Sequence, residues 1–119
     1  MDKINIKEKF QLFDEYWSPK IIGELNNAYV KIAKFKDEFT WHVHEKEDEM
    51  FFVVKGVLTV KFRDKDVCLQ EGEMLIVPKG TEHMPVAPEE VHVLLIEPKS
   101  TLNTGNVING KTVEKLERI

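Results

Sequence analysis

Short runs of β-branched and aromatic residues, separated by turn residues, dominate this 119-residue chain from Ile21 onward. No segment of helical periodicity is interleaved between these runs. Such a pattern predicts an all-β sandwich or barrel built from antiparallel strands. The predicted strands are Ile21–Leu25, Ala28–Lys36, Phe39–His44, Glu49–Val54, Val57–Phe62, Val67–Leu69, Met74–Val77 and Val91–Glu97.

The N-terminal segment follows a different pattern. Apolar residues recur at helical spacing from Ile6 to Phe13, and Asn5 with Glu8 three positions later resembles a capping box. These features predict a short amphipathic helix over residues 5–15.

The chain is expected to divide into three parts. Residues 1–20 form a helical segment that packs on a barrel, residues 21–98 form the barrel, and residues 99–119 form a loop and short tail. The stretch Pro98–Gly110 is rich in Asn, Gly, Ser and Thr, as loops are, and Thr112–Ile119 is predicted to form a final short helix.

Composition and charge narrow the function classes. Hydrophobic residues make up 42% of the chain, and 17 basic against 21 acidic residues give a formal net charge of −4. This charge balance lacks the excess of basic residues that is typical of proteins that bind nucleic acid or an anionic membrane. The one cysteine, Cys68, lies in an apolar run and is expected to be a buried, inert thiol. Without an intrachain disulfide or an N-terminal signal core, we expect a cytoplasmic protein.

Three histidines and one glutamate have a spacing that suits metal binding. His42 and His44 are two residues apart, so on a strand both point to one face. Glu49 begins the next predicted strand after a polar turn, and its side chain can face His42 and His44. His83 follows a turn at Pro78–Gly80 and can aim back at the pair. We predict that the four side chains converge on one ion at ligand distances of ~2.0–2.2 Å.

The predicted donor set indicates the kind of metal. Three imidazole nitrogens and one carboxylate oxygen suit a divalent transition metal, namely iron, manganese, nickel, cobalt or zinc, and disfavour copper(I). One or two coordination positions would stay open for water or a substrate. The fourth histidine, His92, lies in a predicted strand with no motif around it and is left outside the site.

The surroundings of the predicted site are less well defined. Phe51, Val53 and either Met74 or Ile76 are candidate walls of a mostly apolar pocket. Three further residues are eligible by chemistry as a general acid or base but lack positional support: Tyr29, Lys34 and Glu97.

The face opposite the two histidines is apolar, since it carries Phe39, Trp41 and Val43. An apolar face of this kind must be covered by the N-terminal helix, another part of the chain or a second subunit. We therefore expect a homodimer in which apolar outer faces, alone or together with the N-terminal segment, form the contact.

The joint pattern of these residues resembles the two motifs of the cupin superfamily. The first motif, G-x5-H-x-H-x(3,4)-E-x6-G, is matched at four positions: His42, His44, Glu49 and Gly56. The second motif, G-x5-P-x-G-x2-H-x3-N, is matched at four more: Gly72, Pro78, Gly80 and His83. The opening glycine of the first motif and the closing asparagine of the second are replaced by Lys36 and Ala87, neither of which is a ligand position.

The resemblance implies a jelly-roll barrel that holds a metal inside on these histidines and glutamate, and frequent dimerisation. The fold alone does not determine the function of such proteins, which include dioxygenases, isomerases, lyases and sugar-binding proteins. Three hypotheses follow: a metalloenzyme acting on a small organic substrate, a non-catalytic module that binds or senses a small molecule or metal, and a metal-free structural protein.

Overall fold

The computed structural model describes all 119 residues and confirms the predicted all-β fold. The chain forms one short helix and eight strands. Their bounds are α1 Ile6–Phe10, β1 Lys20–Leu25, β2 Ala28–Glu38, β3 Glu49–Lys55, β4 Leu58–Lys61, β5 Asp66–Leu69, β6 Met74–Val77, β7 Met84–Pro98 and β8 Glu117–Arg118.

The long strand β7 organises the sheet because it pairs antiparallel with three other strands. Its first part pairs with β4, its second part pairs with β3, and β2 runs beside most of its length. The strand order is β5-β4-β7-β2-β1-β8, with β6 attached through β3. Different partners at the two ends of β7 roll the sheet around its inner face, which gives the jelly-roll form.

Two apolar clusters lie on the two faces of this rolled sheet. The inner cluster contains 14 buried residues, including Phe35, Phe51 and Val53. The outer cluster joins the N-terminal segment to strands β1 and β2 through four buried side chains: Phe10, Phe13, Ile22 and Ile32. The N-terminal segment therefore covers part of the outer face by burying its apolar side chains.

Helix α1 begins where the sequence predicts but ends earlier than residues 5–15. The Asn5 side chain accepts a hydrogen bond from the backbone N–H of Glu8 at 3.0 Å, as expected of an N-cap. The carbonyl of Phe13 instead accepts a hydrogen bond from the buried Nζ of Lys34 at 2.6 Å. This tertiary contact fixes the chain beyond the helix in a non-helical path. No helix of the structure is long and apolar enough to span a membrane.

The predicted C-terminal helix over Thr112–Ile119 is wrong. Glu117 and Arg118 form β8, which pairs in parallel with the start of β1. The backbone N–H of Ile119 donates to the carbonyl of Ile21 at 3.1 Å, and the Ile119 side chain packs against the outer cluster. Pairing with an open strand edge thus prevails over a weak local helical preference.

The prediction that Phe39–His44 is a strand is also wrong, since only an isolated bridge between His42 and His83 forms there. Strand β7 begins at Met84, seven residues before the predicted start at Val91. Pro85 argues against a strand in sequence because it lacks an N–H donor. Its carbonyl nevertheless accepts from the N–H of Phe39 at 3.1 Å.

The Cys68 thiol is exposed, contrary to the expectation that it is buried. It lies on β5, which pairs only with β4 and forms one edge of the sheet. Cys68 occupies the outward-facing position of the alternation, whereas its neighbour Leu69 is 5% exposed and belongs to the inner cluster.

Candidate metal centre

The structure brings His42, His44, Glu49 and His83 together at one end of the inner face. Each is at most 5% exposed, and one potential ligand atom from each lies within 4.8 Å of the others. Two ligands at about 2.1 Å from one ion are separated by at most about 4.2 Å. A bound ion therefore needs the outermost pair to approach by about half an ångström, which small side-chain rotations provide.

Backbone pairing positions the four side chains. His42 and His83 exchange two backbone hydrogen bonds, each 3.0 Å long, although neither belongs to a named strand. The carbonyl of His44 accepts from the N–H of Gly80 at 2.8 Å, so the proline–glycine turn is tied to the histidine segment. Glu49 is the first residue of β3, and its side chain faces inward.

Hydrogen bonds assign the tautomers of two histidines. Nδ1 of His42 lies 2.7 Å from the carbonyl oxygen of Thr40, and Nδ1 of His83 lies 2.9 Å from that of Thr81. A carbonyl can only accept, so each Nδ1 carries the proton and each Nε2 presents a lone pair. Backbone contacts of this kind also fix the orientation of histidines that bind metals.

The unpaired donor atoms fit a divalent transition metal. Nε2 of His83 lies 3.1 Å from Oε1 of Glu49, and Nε2 of His44 lies 3.4 Å from the same oxygen. A lone pair on nitrogen facing a carboxylate oxygen is repulsive unless a cation lies between them. Both ring nitrogens of His44 are buried without a hydrogen-bond partner. A metal bound to one nitrogen of each histidine and to an oxygen of Glu49 would remove this repulsion and would give one ring nitrogen of His44 a partner, with three nitrogens and one oxygen as ligands.

The charge states of two residues suit metal binding. Burial, followed by repulsion from His83, lowers the pKa of His42 to about 4, so its imidazole is neutral at pH 7. Burial alone would raise the pKa of Glu49, but the imidazoles of His44 and His83 beside its carboxyl group hold the pKa well below its usual range. Glu49 is therefore ionised, and neither residue must lose a proton to bind a metal near neutral pH.

We expect the contribution of His42 to the stability of the metal-free protein to be lost as the pH falls from about 6.5 to about 4. The folded-state pKa of His42 lies below its usual value of 6.5, so the unfolded chain binds the extra proton first. The free energy of unfolding of the wild-type protein, relative to that of His42→Gln, then decreases by on the order of 3 kcal/mol across this range. Urea denaturation at several pH values measures the free energy of unfolding, and the His42→Gln variant is the control. Equal pH dependence in both proteins would contradict the assignment.

Beside the four side chains lies a small cavity with aromatic walls. Trp17, Phe35, Phe39 and Phe51 supply the walls, and His42, Glu49 and Glu97 reach it from the metal-binding side. The centre of a water molecule can occupy about 20 Å³ of it. This leaves room for a ligand of only a few non-hydrogen atoms.

The predicted walls are partly correct. Phe51 lines the cavity, and Val53 is fully buried in the same core. Met74 and Ile76 are wrong as wall residues, because their side chains are 49% and 55% exposed. Both lie on the outward face of β6, whereas Val77 is buried on the inward face. Sequence alternation separates the two faces of a strand but does not say which one turns inward.

Of the three residues eligible as acid or base, the structure places only Glu97 at the cavity. Oε1 of Glu97 lies 2.7 Å from Nζ of Lys31, and both side chains are at most 2% exposed. Burial, followed by the charge of Glu49, raises the pKa of Glu97 well above its usual range. Lys34 points outward to the N-terminal segment, and Tyr29 packs near Lys99 on the far side.

The positions of Trp17 and Asn103 at the cavity are further features that sequence reasoning missed. The backbone N–H of Trp17 donates to the carbonyl of Lys34, and its indole N–H donates to that of Lys36, each at 2.9 Å. The ring stacks on Phe39 at a centroid distance of 4.7 Å. Nothing in the local sequence signals that Trp17 forms a wall.

The C-terminal loop holds the His42–His44 segment in place of a neighbouring strand. The N–H of Val43 donates to the Asn106 side chain at 2.9 Å, and the N–H of Asn106 donates back to the carbonyl of Val43 at 3.0 Å. At Gly105, where φ is +56°, a Cβ atom would lie 2.3 Å from that carbonyl. Only glycine permits so close an approach.

The apolar face expected opposite the histidines is covered within the chain. Phe39 is 9% exposed and belongs to the inner core rather than to an outer face. The Trp41 ring lies 3.7 Å from the guanidinium of Arg63, and the C-terminal loop covers Val43. This face therefore gives no support for a dimer. His92 lies outside the metal centre, stacked on Phe10 at 4.4 Å.

Comparison with known proteins identifies the family. Residues 28–97 match the Cupin domain family, and the chain belongs to it. A crystal structure of a cupin-2 domain containing protein from Shewanella frigidimarina NCIMB 400 is 47% identical, with a TM-score of 0.80 over 81% of this chain and 94% of that chain.

Two curated relatives each match part of the chain. YdbB of Bacillus subtilis (strain 168) is 38% identical over 79 residues, which are 66% of this chain and 64% of YdbB. Acireductone dioxygenase of Gluconacetobacter diazotrophicus is 35% identical over 66 residues, which are 52% of this chain and 37% of that protein. The chain thus spans less than two thirds of the length of either relative.

Proposed function

We propose that this protein uses a divalent transition metal, held by His42, His44, Glu49 and His83, to bind or transform a small organic molecule. The observation that carries this proposal is the convergence of unpaired imidazole lone pairs and an ionised carboxylate beside a cavity. Chemistry of the dioxygenase type is the first candidate, since an acireductone dioxygenase is among the relatives. Isomerase and lyase chemistry use the same kind of metal site.

The protein's own residues would hold and shield the reacting molecule. A metal at this site supplies a Lewis acid and, in the case of iron, the means to activate dioxygen. The carbonyls of Thr40 and Thr81 keep the imidazoles of His42 and His83 oriented. The walls formed by Phe39 and Phe51 exclude bulk water, which strengthens electrostatic interactions inside the cavity.

Metal analysis and oxygen uptake test the proposal together. Freshly purified protein should contain about one equivalent of metal. The iron(II)-loaded protein should consume oxygen with at least one member of a panel of small enols, thiols and keto acids. Absence of metal would overturn the proposal. Metal without oxygen uptake, but with a small molecule retained in native mass spectrometry, would exclude the dioxygenase and favour the binding module.

We further propose a homodimer, but through a face other than the one opposite the histidines. Register aligns Ile76, Met50 and Ile96 on neighbouring strands, and Met74 and Phe52 continue this row on the outer face. Met74 and Ile76 are about half exposed, at 49% and 55%. Their strand β6 pairs only with β3, so its other edge is open. An apolar patch beside an open strand edge suits association of two copies.

We expect Ile76→Lys to convert a dimer into a monomer, because it places a charge in the centre of the apolar patch. Multi-angle light scattering at micromolar concentration measures the mass. The matched control is Val57→Lys, since Val57 is 50% exposed but lies in a turn before β4. A monomeric wild-type protein, or a variant that stays dimeric, would contradict this interface.

A further inference from the structure

We propose that Trp17 sets the upper size limit for molecules that bind at the metal centre, and that the substrate is therefore a small, non-aromatic molecule. The limiting group is the indole ring, which comes from the N-terminal segment rather than from a strand of the barrel. This inference rests on the proposed function, because it takes the ligand to occupy the open positions of a metal bound at His42, His44, Glu49 and His83.

Trp17 closes a gap beside the edge of β2. Strand β1 pairs with β2 only as far as Ile32, so the next part of β2 has no partner from β1 on this edge. The backbone N–H of Trp17 donates to the carbonyl of Lys34, and its indole N–H donates to the carbonyl of Lys36, each at 2.9 Å. One residue from outside the barrel thus takes the place of a neighbouring strand.

The indole ring lies in a row of aromatic rings that leads to the metal ligands. It stacks on Phe35 and Phe39 at centroid distances of 4.4 and 4.7 Å. The ring of Phe39 is perpendicular to that of His42, at a centroid distance of 5.4 Å. Trp17 is 8% exposed, and it lines the cavity that His42 and Glu49 also reach. The ring therefore borders both the surface and the space beside the metal centre.

The backbone at Trp17 adopts a conformation that disfavours a large side chain. Its φ is +60°, in the left-handed region that suits glycine and is rare for bulky residues. The other non-glycine residues with positive φ are Asn26 and Asp37, whose residue types tolerate this region. Strained residues cluster at ligand sites, where the surrounding contacts hold them in place. The strain at Trp17 indicates that the ring itself is required, and not only the turn.

The ring leaves little space beside the metal centre. The centre of a water molecule can occupy about 20 Å³ of the cavity, whereas an apolar cavity that accepts benzene measures about 150 Å³. The walls on β2, β3 and β7 are fixed by strand pairing, but the indole ring lies outside the sheet. Removal of this ring therefore enlarges the cavity while the strands stay paired.

Two hydroxamates with the same metal-binding group test the size limit. Acetohydroxamate carries a methyl group, and benzohydroxamate carries a phenyl ring. Titration of each compound into the cobalt(II)-loaded protein, followed by the visible absorption of the cobalt, measures both dissociation constants. The wild-type protein should bind acetohydroxamate about 10-fold or more tightly than benzohydroxamate, because the phenyl ring has no space beside the metal.

Trp17→Gly should reduce this preference to about twofold or less, chiefly through a gain in affinity for benzohydroxamate. Glycine suits a φ of +60°, so this variant loses the ring without adding backbone strain. If the ring served only the stability of the fold, its removal would weaken the binding of both compounds and leave their ratio unchanged. Trp17→Leu, which leaves part of the space filled, should give an intermediate preference and keeps the test available if the glycine variant fails to fold.

Phe10→Ala is the matched control. Phe10 is a buried aromatic residue of the same N-terminal segment, but it packs in the outer cluster and not at the cavity. This variant should keep the wild-type preference. An equal loss of preference in Phe10→Ala and Trp17→Gly would show that loosening of the segment admits the larger compound, and it would overturn the role given to the indole ring.

The outcomes separate this inference from the proposed function. A wild-type protein that binds no cobalt would refute the metal site itself. If cobalt binds but the wild-type protein binds both hydroxamates equally, Trp17 sets no size limit, and this comparison needs no variant. Failure of both Trp17 variants to gain affinity for benzohydroxamate would overturn the inference as well.

Discussion

His44→Ala is expected to lower metal occupancy sharply while the barrel stays folded. The variant loses one of three imidazole ligands, and changes even to residues that only support ligands reduce metal affinity about 10–100-fold. Both ring nitrogens of His44 lack a hydrogen-bond partner in the protein. Removing the ring therefore leaves no protein group newly unpaired, and the fold keeps its stability apart from the loss of some packing.

Metal content after dialysis, measured by inductively coupled plasma mass spectrometry, checks this result, and circular dichroism reports the fold. His92→Ala is the matched control, because His92 lies outside the metal centre and stacks on Phe10. Its metal content should equal that of the wild-type protein. Unchanged occupancy in His44→Ala would show that the four side chains are not the site.

Lys31→Met is expected to destabilise the metal-free protein by about 1–3 kcal/mol near neutral pH, because it leaves the buried Oε1 of Glu97 without its hydrogen-bond partner. The double variant Lys31→Met/Glu97→Leu should regain most of this loss, since it removes the unpaired carboxyl group as well. Such a recovery would distinguish the cost of an unpaired buried polar group from a simple loss of packing. Urea denaturation of the metal-free proteins measures the free energies of unfolding.

The pH dependence provides a second check on Lys31→Met. The folded-state pKa of Glu97 is already raised by burial and by Glu49, and removal of Lys31 raises it further. The native state then holds a proton that the unfolded state releases, so stability is greatest at low pH and falls as the pH rises. The loss should therefore be larger at pH 8 than at pH 5. Lys34→Met, which removes a buried lysine bonded only to a backbone carbonyl, should show no such increase.

The four converging side chains could be predicted because their chemistry is expressed locally. His42 and His44 share a face as residues two apart do, even though the structure forms no regular strand there. The turn at Pro78–Gly80 returns the chain so that His83 meets them, and Gly80 bonds to the carbonyl of His44. Residue type, the alternation of side chains between the two faces of an extended chain, and turn composition are all properties of short segments.

The position of Glu97 beside Glu49 could not be predicted in the same way, because it depends on the register between strands. Only the pairing of β3 with β7 shows that Glu97 lies opposite Glu49, and only the packing of β2 beside β7 brings Lys31 to it. In sequence it is one acidic residue near the end of a strand. The same holds for Trp17, which reaches the cavity through long-range hydrogen bonds.

Alternation and turn residues along the chain were sufficient to determine an all-β protein, the N-cap of its helix at Asn5 and the four residues that meet at one end of its inner face. Tertiary structure alone decided which face of β6 turns outward, that the C-terminal loop replaces a strand beside His42–His44, and that Glu97 faces the cavity. The physical reason is that local propensities and the alternation of side chains along an extended chain act over a few residues. Register, burial and the covering of an edge depend on segments that are distant in sequence.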